Sequence, residues 1–206
     1  MNWEELLAKI RHEALVTGVP SIDERGFSLL RCLTADFRPK RVLEIGTANG
    51  YTAFGMLSVM DPAATLTTIE LDPERVARAR RWVRQADVAE RLFVLEGDAA
   101  EVLLHLSPSF DLVYLDAAKG QYLANLESLL PLLADGATII ADDIFHDGLL
   151  NTPWEAIPRR QRTIVKRLQE FLARLRQPPF YDVRVEDTGN GMAIARFGKE
   201  IVNDNQ

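Results

Sequence analysis

Arg41-Val42-Leu43-Glu44-Ile45-Gly46-Thr47-Ala48-Asn49-Gly50, residues 41–50, is an apolar run with a carboxylate set in it, followed by a turn framed by two glycines. The run has strand length, and helical spacing begins near Tyr51. A glycine-rich strand-to-helix turn brings unpaired helix N–H groups together with backbone that a ligand can approach closely. Outward from this unit, strand-like runs alternate with amphipathic helical stretches, the pattern of an α/β chain with a mainly parallel sheet and helices on both faces.

The spacing predicts strands at 41–45, 65–70, 92–96, 111–115, 137–142, 181–186 and 191–197, with helices between the first five. Residues 3–15 and 22–35 have helical spacing, with Ser21 or Asp23 as caps and Val19-Pro20 as the break. Pro73 opens a helix, Asp135-Gly136 precedes a strand, and Pro178-Pro179 follows a helix expected over 159–176. Only Asp187 to Asn190 separate the last two strands, so they form an antiparallel hairpin. One domain over 1–206 is expected: N-terminal helices at 1–36, a core at 37–197 and a tail at 198–206.

Of 206 residues, 47% are hydrophobic and 26% charged, enough to bury a substantial core. The single Cys32 excludes an intramolecular disulfide, and no apolar stretch approaches the ~18 residues of a membrane span. Acid stands near the N-terminus where a signal peptide carries base, so a cytoplasmic protein without a membrane partner is expected. A net charge of −6 argues against coating nucleic acid through global electrostatics. Locally the sign reverses: Arg159, Arg160, Arg162, Lys166 and Arg167 crowd one segment, which reads either as a phosphate-binding patch or as a solvated helix face.

Glu70 ends the second strand about 20 residues beyond the glycine turn, where an acid accepts hydrogen bonds from ribose hydroxyls. Gly46 and Gly50 stand in a G-x-x-x-G frame rather than the G-x-G-x-x-G that cradles a pyrophosphate, and Glu44 would repel a diphosphate. A ribose-bearing ligand with a positive centre suits the turn better, and S-adenosylmethionine is such a ligand. Asp98, after the third strand, either accepts from its adenine amino group or caps the helix at 99–106, and both roles are compatible.

At the other end of the chemistry, Asp116 ends the fourth strand, with Lys119 three residues on, and Asp142-Asp143 end the fifth. Neighbouring carboxylates of this kind repel unless a cation sits among them, and hard oxygen donors without His or Cys favour Mg²⁺ or a similar divalent ion. Turn and cap acids are the alternative reading. His146 is expected to be a neighbour rather than a ligand.

Together, Glu44-x-Gly46 with Tyr51-Thr52, Glu70, Asp116-Ala117-Ala118-Lys119 and Asp142-Asp143 resemble the metal-dependent O-methyltransferases related to catechol and caffeoyl-CoA O-methyltransferases. The resemblance spans roughly residues 20–197. Within it, Asp116 to Tyr122, the segment 159–167 and Gly189 to Ile194 look most like the bacterial tRNA 5-hydroxyuridine methyltransferases. One departure is Asp142-Asp143, where that family usually has Asp-Asn.

The resemblance implies a Rossmann-like methyltransferase fold with a seven-stranded sheet, and commonly a homodimer. It implies S-adenosylmethionine held by Glu44, Gly46, Thr47, Gly50, Tyr51, Thr52, Glu70, Asp98 and Asp116, and a divalent metal on Asp116, Asp142 and Asp143. Lys119 matches the catalytic base and works beside Asp116. The expected reaction is methylation of 5-hydroxyuridine in a tRNA anticodon loop to 5-methoxyuridine, with Arg159, Arg160, Arg162 and Lys166 on the RNA and Trp154 able to stack on a base. The alternative substrate is a small catechol-like phenol, because both substrates present vicinal oxygens to a metal. The glycine frame counts against a nicotinamide-dependent oxidoreductase.

Overall fold

The structure, a computed structural model, describes residues 2–199; Met1 and residues 200–206 of the expected tail lie outside the described residues. In chain order the elements are α1 (Trp3–Thr17), α2 (Glu24–Phe37), β1 (Arg41–Ile45), α3 (Tyr51–Leu57), β2 (Thr65–Glu70), α4 (Pro73–Gln85), β3 (Leu92–Glu96) and α5 (Ala99–Val102). They continue with β4 (Phe110–Leu115), α6 (Tyr122–Leu129), β5 (Leu133–Ala141), α7 (Arg162–Leu175), β6 (Phe180–Glu186) and β7 (Met192–Phe197). The strands make one seven-stranded sheet in the order β3-β2-β1-β4-β5-β7-β6. The α/β architecture expected from the sequence, parallel except for the closing hairpin, is therefore present. Two compact units divide the chain, one up to His105 and one from Leu106.

In the first unit the helices start where the caps say they should. Asp23 accepts from the amides of Arg25 and Gly26, and Asp72 from those of Glu74 and Arg75 with Pro73 at the first helical position. Strand β1 pairs in parallel with β2, Leu43 opposite Thr67 and Glu44 opposite Thr68. Val42, Leu43, Ile45, Leu66 and Ile69 are buried, each contributing roughly 1.5–3 kcal/mol. Helix α3 carries Gly55 because the ring of Phe27 on α2 lies 2.3 Å from where a Cβ would stand. On the open side of β3, the guanidinium of Arg80 donates to the Val94 carbonyl through Nε at 3.3 Å and Nη2 at 3.0 Å.

In the second unit β4 and β5 pair in parallel, and β7 is antiparallel to both β5 and β6. Asp135-Gly136, expected to precede the strand, lies inside β5. Gly136 has φ +73, and pairing jumps from Phe110↔Leu133 to Leu112↔Thr138, so a bulge absorbs the turn-like dipeptide. The helix expected from 159 begins at Arg162, after a 3-10 turn over Arg159–Gln161. Strand β6 bulges at Asp182, which has φ +50 and interrupts the pairing between Tyr181 and Arg184. No described helix is long and apolar enough to cross a membrane.

Candidate active site

In the first unit, the glycine turn is bent through left-handed backbone at Gly46 (φ +104), Ala48 (φ +49) and Gly50 (φ +96). Gly46 and Gly50 meet the glycine requirement read from the sequence; Ala48 adopts this conformation against a steric cost and is held there. Its N–H donates to Glu70 Oε2 at 2.8 Å, and the Asp72 N–H donates to Glu70 Oε1 at 3.0 Å. A carboxylate has about four lone-pair sites, so Glu70 keeps acceptor capacity for ribose hydroxyls. The N–H groups of Gly46 and Thr47 reach the Ile69 carbonyl at 2.9 and 3.3 Å, tying the turn to β2.

Glu44 is fully buried, and its two oxygens accept from the hydroxyls of Thr52 and Thr68, each at 2.6 Å. Thr47 Oγ1 lies 2.5 Å from Thr68 Oγ1, completing a chain of hydroxyls beneath the turn. Thr68 escaped the sequence reading: its register opposite Glu44 is set by strand pairing across 24 residues. Tyr51 stacks on Phe27 with ring centroids 4.1 Å apart. Asp98 caps α5, accepting from the Ala100 N–H at 2.8 Å.

In the second unit, β4 delivers Asp116 and β5 delivers Asp142 and Asp143, and the Asp142 N–H donates to the Leu115 carbonyl at 3.0 Å, locking the two strand ends together. Two tyrosines serve these ends: Tyr114, given no role by the sequence reading, and Tyr122, read there only as part of the stretch 116–122. Tyr114 donates its hydroxyl to Asp142 Oδ2 at 2.9 Å, and buried Tyr122 shares its hydroxyl between the carbonyls of Leu115 (3.2 Å) and Asp142 (3.1 Å). Burial first, and then the charges of Asp116, Asp142 and Asp143, push the Tyr122 phenol well above its usual range, so it stays a donor.

Lys119 sits in a 3-10 turn with its Nζ 2.5 Å from Asp143 Oδ2. Asp143 itself is left-handed (φ +50), and its buried Oδ1 has no hydrogen-bond partner among the described residues. Burial, then the charge of Asp142, raise the Asp116 carboxyl to about 7; Lys119 opposes the shift and Asp143 adds to it. The three carboxylates feel one another, yet among the described residues no three acidic, His or Cys side chains gather as a ready set of metal ligands. Their chemistry fits a hard divalent cation: oxygen donors, mutual repulsion and one orphaned buried oxygen.

The basic segment divides. Arg162 donates to the carbonyls of Ile157 (3.1 Å) and Glu155 (3.3 Å) and lies over the Trp154 ring. Lys166 pairs with Glu170 at 3.8 Å, and Arg167 donates to the Gly120 carbonyl at 3.0 Å. Arg159 and Arg160 remain exposed, with no ion pair among the described residues. His146 Nε2 lies 3.1 Å from Gln161 Oε1.

With this geometry in place, the family profile described as O-methyltransferase matches residues 4–197, and the chain belongs to that family. Among its relatives, the catechol O-methyltransferase of Mycobacterium tuberculosis is 34% identical over 119 residues, 57% of this chain and 54% of the relative. Tapetum-specific methyltransferase 1 of Arabidopsis thaliana is 25% identical, covering 93% of this chain and 86% of that one. This chain spans about half the length of several curated relatives, 51% for the O-methyltransferase ankF of Aspergillus thermomutatus. The SAH-bound methyltransferase PaMTH1 of Podospora anserina superposes with a TM-score of 0.80 at 26% identity, covering 96% and 88% of the two chains. A Staphylococcus aureus structure provisionally assigned as a caffeoyl-CoA O-methyltransferase gives 0.85 at 26%, covering 93% and 92%.

Proposed function

We propose that the protein is an S-adenosylmethionine-dependent O-methyltransferase that methylates one of two vicinal oxygens on a small catechol-like phenol, with the help of a divalent cation such as Mg²⁺. The observation that carries this reading is the strand-end group of Asp116, Lys119, Asp142 and Asp143, with the Lys119 ammonium against Asp143. Family membership and the relatives named catechol O-methyltransferase support it.

S-adenosylmethionine supplies the electrophilic methyl carbon, and Glu70, the glycine turn and Asp98 would hold its ribose, backbone-facing and adenine parts. Asp116, Asp142 and Asp143 would hold the cation, which supplies Lewis acidity that lowers the pKa of an adjacent hydroxyl. Lys119, paired as an ammonium with Asp143, stabilises the phenolate with its charge; to act as base, its Nζ first gives its own proton to water and then takes the phenolic one. Tyr114 and Tyr122 fix Asp142 and the strand ends, so the acids keep their places as charge builds. Labelled methyl transfer to catechol tests this reading: turnover is expected, lost in EDTA and restored by Mg²⁺. Failure on catechol and related vicinal phenols overturns it.

Exposed Arg159 and Arg160 favour a second reading, methylation of 5-hydroxyuridine in tRNA to 5-methoxyuridine. It is the weaker of the two, because Arg162 and Arg167 serve backbone carbonyls and Lys166 an acid. Methyl transfer to hypomodified tRNA that is lost in Arg159→Ala/Arg160→Ala would select it over the phenol.

A further inference from the structure

Helix α1 grips three neighbours within four residues. Arg11 pairs with Glu24 of α2 at 2.7 Å; Glu13 accepts from Trp82 Nε1 of α4 at 2.5 Å and also binds Arg81. The Ile10 carbonyl accepts from Asn49 Nδ2 at 2.7 Å, so the third contact is with the glycine turn itself. Asn49 is only 1% exposed, and its Oδ1 is buried with no hydrogen-bond partner among the described residues. An uncompensated buried oxygen is a standing cost, and an apolar side chain of similar size would avoid it. Filling space therefore does not account for an asparagine here, whereas its bond to α1 does.

The turn is thus clamped from two directions, by Glu70 through the Ala48 N–H and by α1 through Asn49. We infer that Asn49 is a positioning residue that couples docking of α1 to cofactor binding, so that each reinforces the other. This rests on the cofactor reading above. Linkage makes the coupling reciprocal: whatever α1 adds to cofactor affinity, the cofactor adds to the docking of α1.

Two measurements with S-adenosylhomocysteine test the coupling. In native-state hydrogen exchange of the wild type, the ligand is expected to slow exchange along α1 around Ala14. In Asn49→Leu, binding of S-adenosylhomocysteine is expected to weaken about tenfold, the loss of one buried hydrogen bond, and its protection of α1 to vanish. The KM for S-adenosylmethionine should rise with it while kcat at saturating cofactor holds. Unaltered α1 exchange in the liganded wild type, or wild-type affinity in a folded Asn49→Leu, overturns the coupling. Should Asn49→Leu not fold, the wild-type exchange decides alone. A wild type that does not bind S-adenosylhomocysteine overturns the cofactor reading instead.

Discussion

Lys119 is held against Asp143 at 2.5 Å, so its amine is oriented before any substrate arrives. Lys119→Ala is expected to lower kcat for methyl transfer by about 10²–10⁴-fold, the range of a single acid–base group, with the KM for cofactor little changed. Undiminished turnover would remove the base from the mechanism. Asp116 makes a different prediction. Its raised pKa favours the folded state below the unfolded value near ~4 and is lost as stability when pH climbs through about 7. Asp116→Asn does not titrate, so in EDTA its Tm should gain on the wild type between roughly pH 4 and pH 8, while its activity falls. A Tm difference independent of pH would contradict this. These acids and the lysine were legible in the sequence because strands end abruptly in charge there. Thr52 was read as a residue of the cofactor site and not as a partner of Glu44, while Thr68 and the partner of Asn49 were not read at all, since they lie 24 and 39 residues away and are joined only by folding.

At the scale of elements, the hairpin between β6 and β7 does more than close the sheet. The N–H groups of Ile144 and Phe145 donate to the carbonyls of Gly191 and Asn190 at 3.0 and 2.8 Å, so the hairpin braces the segment just after Asp143. Gly191 has φ +85, and a Cβ there would stand 2.6 Å from the Phe145 ring. Gly191→Ala should therefore cost about 2–4 kcal/mol through left-handed strain and overpacking, read as a lower urea midpoint, with a parallel loss of activity. The sequence showed the hairpin through its short connection but not what it braces. Likewise it showed a basic segment, whereas the structure divides that charge between bonds that Arg162 and Arg167 of α7 make to backbone carbonyls and two outward arginines in the 3-10 turn before it. Helix spacing decides which side chains turn inward, and backbone carbonyls that accept from them leave no mark in the sequence.

For the whole molecule, a cation bound by the folded chain alone must stabilise it. At a hundred times its Kd, Mg²⁺ should add about 2.7 kcal/mol, or roughly 5–10 °C in Tm for a chain of this size. A Tm indifferent to Mg²⁺, Mn²⁺ and Ca²⁺ would count against the carboxylates as ligands.

The two rims of the sheet bear on solubility. Strand β3 has its Val94 carbonyl covered by Arg80, and β6 is broken by the Asp182 bulge and carries Arg184 and Glu186. Neither rim offers a clean ladder of free amides and carbonyls to another chain. Growth by strand addition, the usual route from a sheet protein to fibres, is thereby blunted at both ends.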